Sequence, residues 1–344
     1  MILILFLGRT EYDSRSRKFI AACQNLQLPY KVSDISLLEN QKSFISKFRI
    51  FAKQTISGFL LNPPKLIIST DIFSLPVALF FYFTKSVPFI FDARELNSEV
   101  AAFESSGLKK WLWGNVEKAG FRFASEITTV NQSLRIEFEN RYHRPAQILF
   151  NYPHSNFELG SDKLRNQFKL KPSDFIWIFQ GGIQKGRGTD DAIQFITYRP
   201  ENEKLVFIGE SKTELEIPPE IRNRVFCLGE IKNDELISWT SSADAGLILI
   251  DSQAKSYQLS LPNKFFEFIF AEIPFLTYDL KEISALVSIY HCGIVADKNN
   301  LQKSAELLKE NKQSYKTGTV KLKQKLALSD QISMLSSLIR QSLE

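Results

Sequence analysis

Cysteine and histidine are scarce in this chain. Three cysteines, Cys23, Cys227 and Cys292, lie far apart. They form no CxxC pair and no disulfide framework, so they read as thiols of a reducing compartment, and a cytoplasmic protein is expected. The histidines His143, His154 and His291 are equally scattered. No metal-ligand spacing arises from them, so neither a metal nor another cofactor is expected. Phosphate-loop signatures are missing as well, since neither GK[ST] nor GxGxxG occurs.

Long apolar runs are also lacking. "ILILFL" (Ile2–Leu7) has no positive flank before it and no small-residue cleavage site after it. It therefore reads as a buried first strand and not as a signal peptide. "IFSLPVALFFYFT" (Ile72–Thr84) is too short for a bilayer and contains Pro76, so a buried helix is expected. Neither charge sign dominates: 43 Lys plus Arg against 38 Asp plus Glu leaves +5. That mild surplus suits anionic small ligands and gives no reason to expect nucleic acid.

What is present is an alternation. The 344 residues suffice for two domains. Short β-branched or aromatic runs at Ile2–Leu7, Lys31–Ile35, Lys65–Ser69, Phe89–Asp92, Glu126–Val130 and Gln147–Phe150 are separated by helix-length segments. The rhythm restarts at Phe175–Gln180, Lys204–Gly209, Val225–Gly229, Ala245–Ile250, Pro274–Tyr278 and Cys292–Ala296. This is the βαβ pattern of parallel sheets, and it predicts an α/β chain of two doubly wound domains, 1–153 and 154–327. The tail 328–344 places Ile332, Leu335, Ile339 and Leu343 three and four apart. It predicts an amphipathic helix that docks on the first domain. Ligands are expected at the carboxyl ends of the strands, in a cleft between the domains.

Three loops at such ends carry chemistry-bearing residues. "DARELNSE" (Asp92–Glu99) is either a helix start capped by Asp92 or Asn97, or a polar wall from which Arg94 and Glu95 reach a ligand. "GGIQKGRGTDD" joins the paired glycines Gly181 and Gly182 to Lys185 and Arg187, with Thr189 or Asp190 as a possible helix cap. It is either an anion-binding turn or a solvated glycine-rich connection. "SLPNKFFEFIF" sets Pro262 and Asn263 at a helix start, Asn263 as cap, and Glu267 one turn later. Helix amides and Lys264 suit a diphosphate, and the carboxylate suits two ribose hydroxyls. The alternative is a buried Glu267 balancing Lys264. The charges of "DLKEI" (Asp279–Ile283) read as solvated turn residues.

In order along the chain, "QGGIQKGRG", "ADAGLILI", "LPNKFFEFIFAEIPFLTYDLKEI" and "YHCGIVAD" resemble the donor-binding half of family four glycosyltransferases of the GT-B fold. "STDIFSLPVAL", "KSVPFIFDARELNSE", "ITTVNQSLRIEFENRY" and "ILFNYP" resemble the acceptor half. The resemblance implies a nucleoside diphosphate sugar as donor, bound by the second domain, and a glycan or lipid-linked acceptor bound by the first. It assigns the diphosphate to Lys185 and Arg187. The family has an arginine directly after the first glycine; Gly182 stands there, so Arg187 is expected to supply that charge. Glu267 maps to the glutamate that binds the donor ribose. The partner glutamate of that pair would fall on Leu259, which leaves sugar recognition to backbone, Ser260, Asn263 and Lys264. Glu230 and Ile231 are expected beside the base. The acceptor-side D-x-H-E motif appears as Asp92-Ala93-Arg94-Glu95, with arginine for histidine. Arg94 and Glu95 thus take the catalytic positions, and Arg9, Asp13 and Asp92 the acceptor side. An arginine there stabilises charge but does not cycle a proton near neutral pH. The implied reaction retains anomeric configuration, and surface polysaccharide assembly is its implied setting.

Between Asn40 and Thr70 there is no acidic residue, while Lys42, Lys47, Arg49, Lys53 and Lys65 are basic. Phe44, Phe48, Phe51 and Phe59 gather near one helix face. Such a helix is either an ordinary first-domain helix or one that lies on anionic lipid at the inner face of a membrane. Two rival functions fit the same architecture. A sugar-nucleotide 2-epimerase would need acid and base residues at the strand ends, where the histidines do not fall. A non-catalytic sugar-nucleotide-binding subunit would fit Leu259 and Arg94.

Bond cleavage leaves negative charge on a departing diphosphate, and preorganised cations lower that barrier. The double variant Lys185→Ala with Arg187→Ala is expected to slow sugar transfer by about a hundredfold or more. A wild-type rate in a single-turnover assay would remove both residues from the diphosphate site.

Overall fold

The computed structural model describes the chain apart from residues 11–12, 36–42, 97–106, 154–156, 184–187, 212–214, 251–257 and 327. It divides into two compact units: Met1–His154 with Ala327–Glu344, and Ser155–Leu326.

In the first unit β1 (Ile2–Leu5), β2 (Tyr30–Ser33), β3 (Leu66–Ser69), β4 (Phe89–Ala93), β5 (Glu126–Thr129) and β6 (Gln147–Ile148) form one parallel sheet in the order β2-β1-β3-β4-β5-β6. Its connections carry α1 (Ser14–Asn25), α2 (Phe44–Phe59), α3 (Leu75–Lys85), α4 (Gly107–Phe123) and α5 (Gln132–Tyr142). Strands β1, β3 and β4 are buried along their whole length. Helices cover both faces of such a sheet, which is why these strands read as unbroken apolar runs and do not alternate.

The second unit repeats the plan. After α6 (Lys163–Phe168) come β7 (Phe175–Gln180), α7 (Thr189–Thr197), β8 (Glu203–Ile208), β9 (Val225–Gly229), α8 (Asn233–Thr240) and β10 (Ala245–Ile248). There follow α9 (Asn263–Phe270), β11 (Phe275–Thr277), α10 (Lys281–Tyr290), β12 (Gly293–Val295), α11 (Leu301–Glu310) and α12 (Lys312–Lys325). All six strands are parallel, in the order β12-β11-β10-β7-β8-β9. The core gathers Trp177, Phe179, Leu205, Phe207 and Leu247 with Ile193 and Ile196 of α7.

Every run read as a strand has its strand in the structure, with ends that differ from the run by at most two residues. The reason is visible after β1: Leu7 leaves the ladder, and its backbone N–H donates to Asp71 Oδ2 at 2.8 Å. The expected buried helix is α3, with Pro76 in its first turn, where a missing N–H is harmless. Along α2, Phe51 and Thr55 are buried, Phe48 and Phe59 are half-buried and Phe44 is exposed, so only part of the aromatic face packs inside the first unit.

The tail forms α13 (Leu328–Gln341), which packs on α1. Leu335 and Ile339 are fully buried with Phe19 and Ala22 of α1 and Ile2 and Ile4 of β1, and Ile332 and Leu343 lie at the edge of that cluster. Among the described residues no helix is long and apolar enough to cross a membrane.

Because Leu335 fills space among at least two other elements, Leu335→Ala is expected to cost the first unit about 2–5 kcal/mol. Denaturant unfolding should show the loss as an earlier transition of this unit with an unchanged slope.

Candidate functional site

In a doubly wound sheet the crevice opens where the strand order reverses. In the second unit that point lies between β7 and β10, because the chain winds from β7 out to β9 and from β10 out to β12. The end of β7 and the helix after β10 meet there. Gln180 is the last residue of β7 and is buried. Gly181 follows with φ +108°, and its N–H donates to Ile208 O at 2.9 Å. The next strand end is stitched in the same way, Gly209 N–H donating to Gly229 O at 2.9 Å. A Cβ on Gly209 would stand 2.1 Å from the Gly181 carbonyl oxygen, so only glycine lets these two loops approach so closely.

Helix α9 brings the charged residues. Pro262 is its N-cap and Asn263 its exposed first residue, with no side-chain cap hydrogen bond. The expectation that Asn263 caps this helix is therefore corrected: proline, which has no N–H, occupies the cap with φ −67°. Phe265, Phe266, Phe268 and Ile269 pin the helix to the core. Lys264 and Glu267 share the remaining face. The Lys264 ammonium sits 4.0 Å above the centre of the Phe179 ring. It lies against Gly181, 3.9 Å from where a Cβ on that residue would be. Glu267, half-buried, accepts from Gln180 Nε2 at 3.2 Å. Burial pushes its carboxyl from 4.5 up to about 7, against the opposing pull of Lys264. The other amide atom, Gln180 Oε1, is buried and has no partner among the described residues. Among the described residues, then, a carboxyl group pushed up by burial lies beside an amide oxygen without a partner, and both can accept from hydroxyl groups.

The other residues singled out from the sequence are spread over the strand ends of this unit, Glu230 and Ile231 beyond the edge strand β9. Gly182 and Ser260 are half-buried; Glu230 is exposed and Ile231 half-buried just beyond β9. Lys185 and Arg187 lie outside the described residues, whose flanks are Ile183, held by Glu210 O at 2.9 Å, and Gly188. Neither Thr189 nor Asp190 caps α7: the N-cap is Gly188, with φ +85° and no side-chain cap bond. A Cβ there would come within 2.0 Å of Leu249 O, so the close seat of this turn on the loop after β10 excludes a capping side chain. Gln180 is the residue that sequence reasoning missed. Its polar side chain at the end of an otherwise apolar strand, "FIWIFQ", was the available signal.

The first unit reverses its strand order between β1 and β3. Asp13 caps α1, accepting from Ser16 N at 2.8 Å. Arg94, just after β4, grips Asp13 with two bonds of 2.6 and 2.8 Å and gives its Nε to Asp92 Oδ2 at 3.0 Å. Asp92 is fully buried inside β4, so it does not cap a helix. It also accepts from Arg15 through Nε at 2.8 Å and through Nη2, and from Thr128 Oγ1 at 2.7 Å. Burial pushes both Asp13 and Asp92 up, but Arg94 on the first and Arg15 with Arg94 on the second overturn this and hold them below the ordinary carboxylate range. Arg94 has three of its five N–H donors in these bonds. It enters the site as half of a paired cluster. Asp71, beyond β3, accepts from Leu7 N and Ser74 N, and burial raises its carboxyl in spite of these bonds. Arg9 is half-buried in the loop after β1, Glu95 is exposed beyond Arg94, and Asn97 lies outside the described residues.

Among the described residues no three His, Cys, Asp or Glu side chains gather to hold a metal ion. A cavity of about 190 Å3 in the second unit lies at the opposite end of the sheet, lined by residues that include Arg165, Asp244 and Lys312. Those three charges pair among themselves.

No protein-family model matches the sequence, and no curated protein matches it. Solved structures do match in shape. Sucrose-phosphate synthase from Thermosynechococcus elongatus superposes with a TM-score of 0.72 at 13% identity, over 99% of this chain and 96% of that one. Anabaena HepE in complex with UDP-glucose gives 0.73 at 14%, over 98% and 99%. WaaG, a glycosyltransferase involved in lipopolysaccharide biosynthesis, gives 0.71 at 12%, over 98% and 99%. The chain has the GT-B fold of these proteins.

The displaced carboxyl of Glu267 has a stability consequence with a definite sign. Folding favours its protonated form, so its contribution is full below pH 4.5 and is lost as pH rises through about 7. Glu267→Gln is expected to raise Tm at pH 8 and to change it little at pH 5, measured by thermal unfolding. Equal effects at both pH values would place the carboxyl in an ordinary environment.

Proposed function

We propose that this chain is a glycosyltransferase that moves a sugar from a nucleoside diphosphate sugar to a glycan or lipid-linked acceptor. The observation that carries the reading is the cluster of Gln180, Gly181, Lys264 and Glu267 at the strand-order reversal of a GT-B fold. HepE, which shares the fold at low identity, was solved with UDP-glucose, and this supports a nucleotide sugar as the donor here. The second unit then binds donor and the first binds acceptor. Transfer proceeds with retention, in surface polysaccharide assembly, by a protein at the inner face of an anionic membrane.

In this reading the ionised Glu267 accepts from the ribose hydroxyls, and Gln180 Oε1 gains the donor it lacks. Lys264 and the first amides of α9 face the diphosphate, together with Lys185 and Arg187. As the anomeric carbon separates from the diphosphate through an oxocarbenium-like state, these fixed cations meet the growing negative charge. Glu230 and Ile231 flank the base; Ser260 and Asn263 approach the sugar. No cofactor takes part. The leaving phosphate accepts the acceptor's proton, since Arg94 stays charged between its two carboxylates. Asp13, Asp92 and Arg94 shape the acceptor side as one rigid cluster, with Arg9 and Glu95 at its margin.

A thermal-shift panel of nucleoside diphosphate sugars tests the donor assignment, because a ligand of the folded state raises Tm. The stabilising sugar nucleotide is then supplied with candidate acceptors, and the product's anomeric configuration is read by NMR. Release of nucleoside diphosphate that depends on acceptor supports the proposal; tight binding without turnover would make the chain a binding subunit. Ribose hydroxyls need the ionised carboxylate, so donor affinity should be about tenfold weaker at pH 6 than at pH 8. Glu267→Gln should bind more weakly and lose that dependence. A wild-type pH profile in that variant would take Glu267 out of the ribose site.

A further inference from the structure

Helix α4 turns an apolar stripe toward solvent. Leu108, Trp111 and Leu112 recur at the spacing of one helix face, and all three are exposed, Leu108 by 74% and Trp111 by 66%. The opposite face holds Glu117, Gly120 and Phe121, which are buried. The helix thus has its core contacts already, and the outer stripe is in excess of what the fold uses. A second exposed apolar group adjoins it. Phe73 stacks edge-on against Trp113 of α4 at 4.9 Å and against Phe44 of α2 at 5.0 Å between ring centres. That contact sets the first turn of α2, with exposed Phe44 and Ile45, next to the stripe.

The charged residues on these two helices are basic with one exception. Helix α2 carries Lys47, Arg49 and Lys53, and α4 carries Lys109, Lys110, Lys118 and Arg122. The single acidic residue on the two helices, Glu117, is buried and accepts from Tyr142 Oη at 2.7 Å. Aromatic and leucine side chains set among lysines and arginines match the boundary between headgroups and acyl chains, where apolar groups insert and cations meet anionic phosphate. We infer that the exposed face of α4, with the first turn of α2, docks the first unit on an anionic lipid surface. The contact shares Phe44 with the phenylalanine face of α2 but leaves out Phe51, which is committed to the core, and centres on α4. It deepens the membrane part of the proposed function and does not depend on donor binding.

The test is sedimentation of the full chain with phosphatidylcholine vesicles, with and without phosphatidylglycerol. Binding is expected to the anionic vesicles at low salt, and to weaken by about tenfold near 0.5 M salt. The double variant Leu108→Ser with Trp111→Ser should lose binding by at least about tenfold, since each side chain inserts apolar area. Both residues are exposed, so its Tm and nucleotide affinity should match wild type. Tryptophan emission should shift blue on vesicle addition in wild type, and Trp111→Phe should remove that shift. Absence of sedimentation at low salt, or undiminished binding by the double variant, would overturn the inference. So would a concentration-dependent dimer that the double variant abolishes while vesicles bind neither form, which would assign the face to a second copy. Vesicle binding without any nucleotide binding would sink the donor reading and leave this one standing.

Discussion

Parallel pairing is the constraint on which everything else in this chain depends. A parallel strand cannot be reached by a hairpin, so each connection crosses over a face of the sheet, and the hand of the crossover is fixed. Winding outward in both directions from one strand leaves a place where neighbouring loops diverge. Here that happens twice, beside β1 and beside β7. At each place polar backbone and side chains stand at the carboxyl ends of buried strands, where water has limited access, and each must find a partner.

The two units meet that demand in opposite ways. The first pairs its charges internally: Arg15 and Arg94 neutralise Asp13 and Asp92, and the carboxylates end up more acidic than usual. In that cluster each of these two carboxylates has an arginine partner. The second leaves Glu267 with one amide donor and a nearby ammonium, too little to offset its burial, and leaves the Gln180 oxygen without a partner among the described residues. A deficit of this kind is a recurrent mark of a place completed by a ligand.

Much of the architecture was legible in the sequence because fully buried parallel strands write themselves as apolar runs that periodicity detects. "FIWIFQ" and "VFCLG" are strands over their whole quoted lengths. Caps were less legible. Asn263, Thr189 and Asp92 all have capping chemistry, yet Pro262, Gly188 and a buried ion pair decided those positions, through close packing that no local window reveals. The Arg15–Asp92 pair joins residues 77 apart in sequence, so nothing in "DARE" could announce it. Of the aromatic periodicity of α2 only Phe51 is committed to the core; the exposed stripe of α4 was hidden among charged neighbours.

The return of α13 to the first unit has a consequence for synthesis. Leu335, Leu338 and Ile339 belong to the same buried cluster as β1 and α1, and Lys18 of α1 reaches Gln331 at 3.0 Å. As the chain leaves the ribosome, the second unit is complete before these last residues emerge. The first unit therefore completes its core only after all residues of the second have been made, although amino-terminal domains usually fold first. Until then the apolar groups of α1 and β1 that Leu335, Leu338 and Ile339 cover stay open, a surface on the nascent chain that a chaperone can shelter.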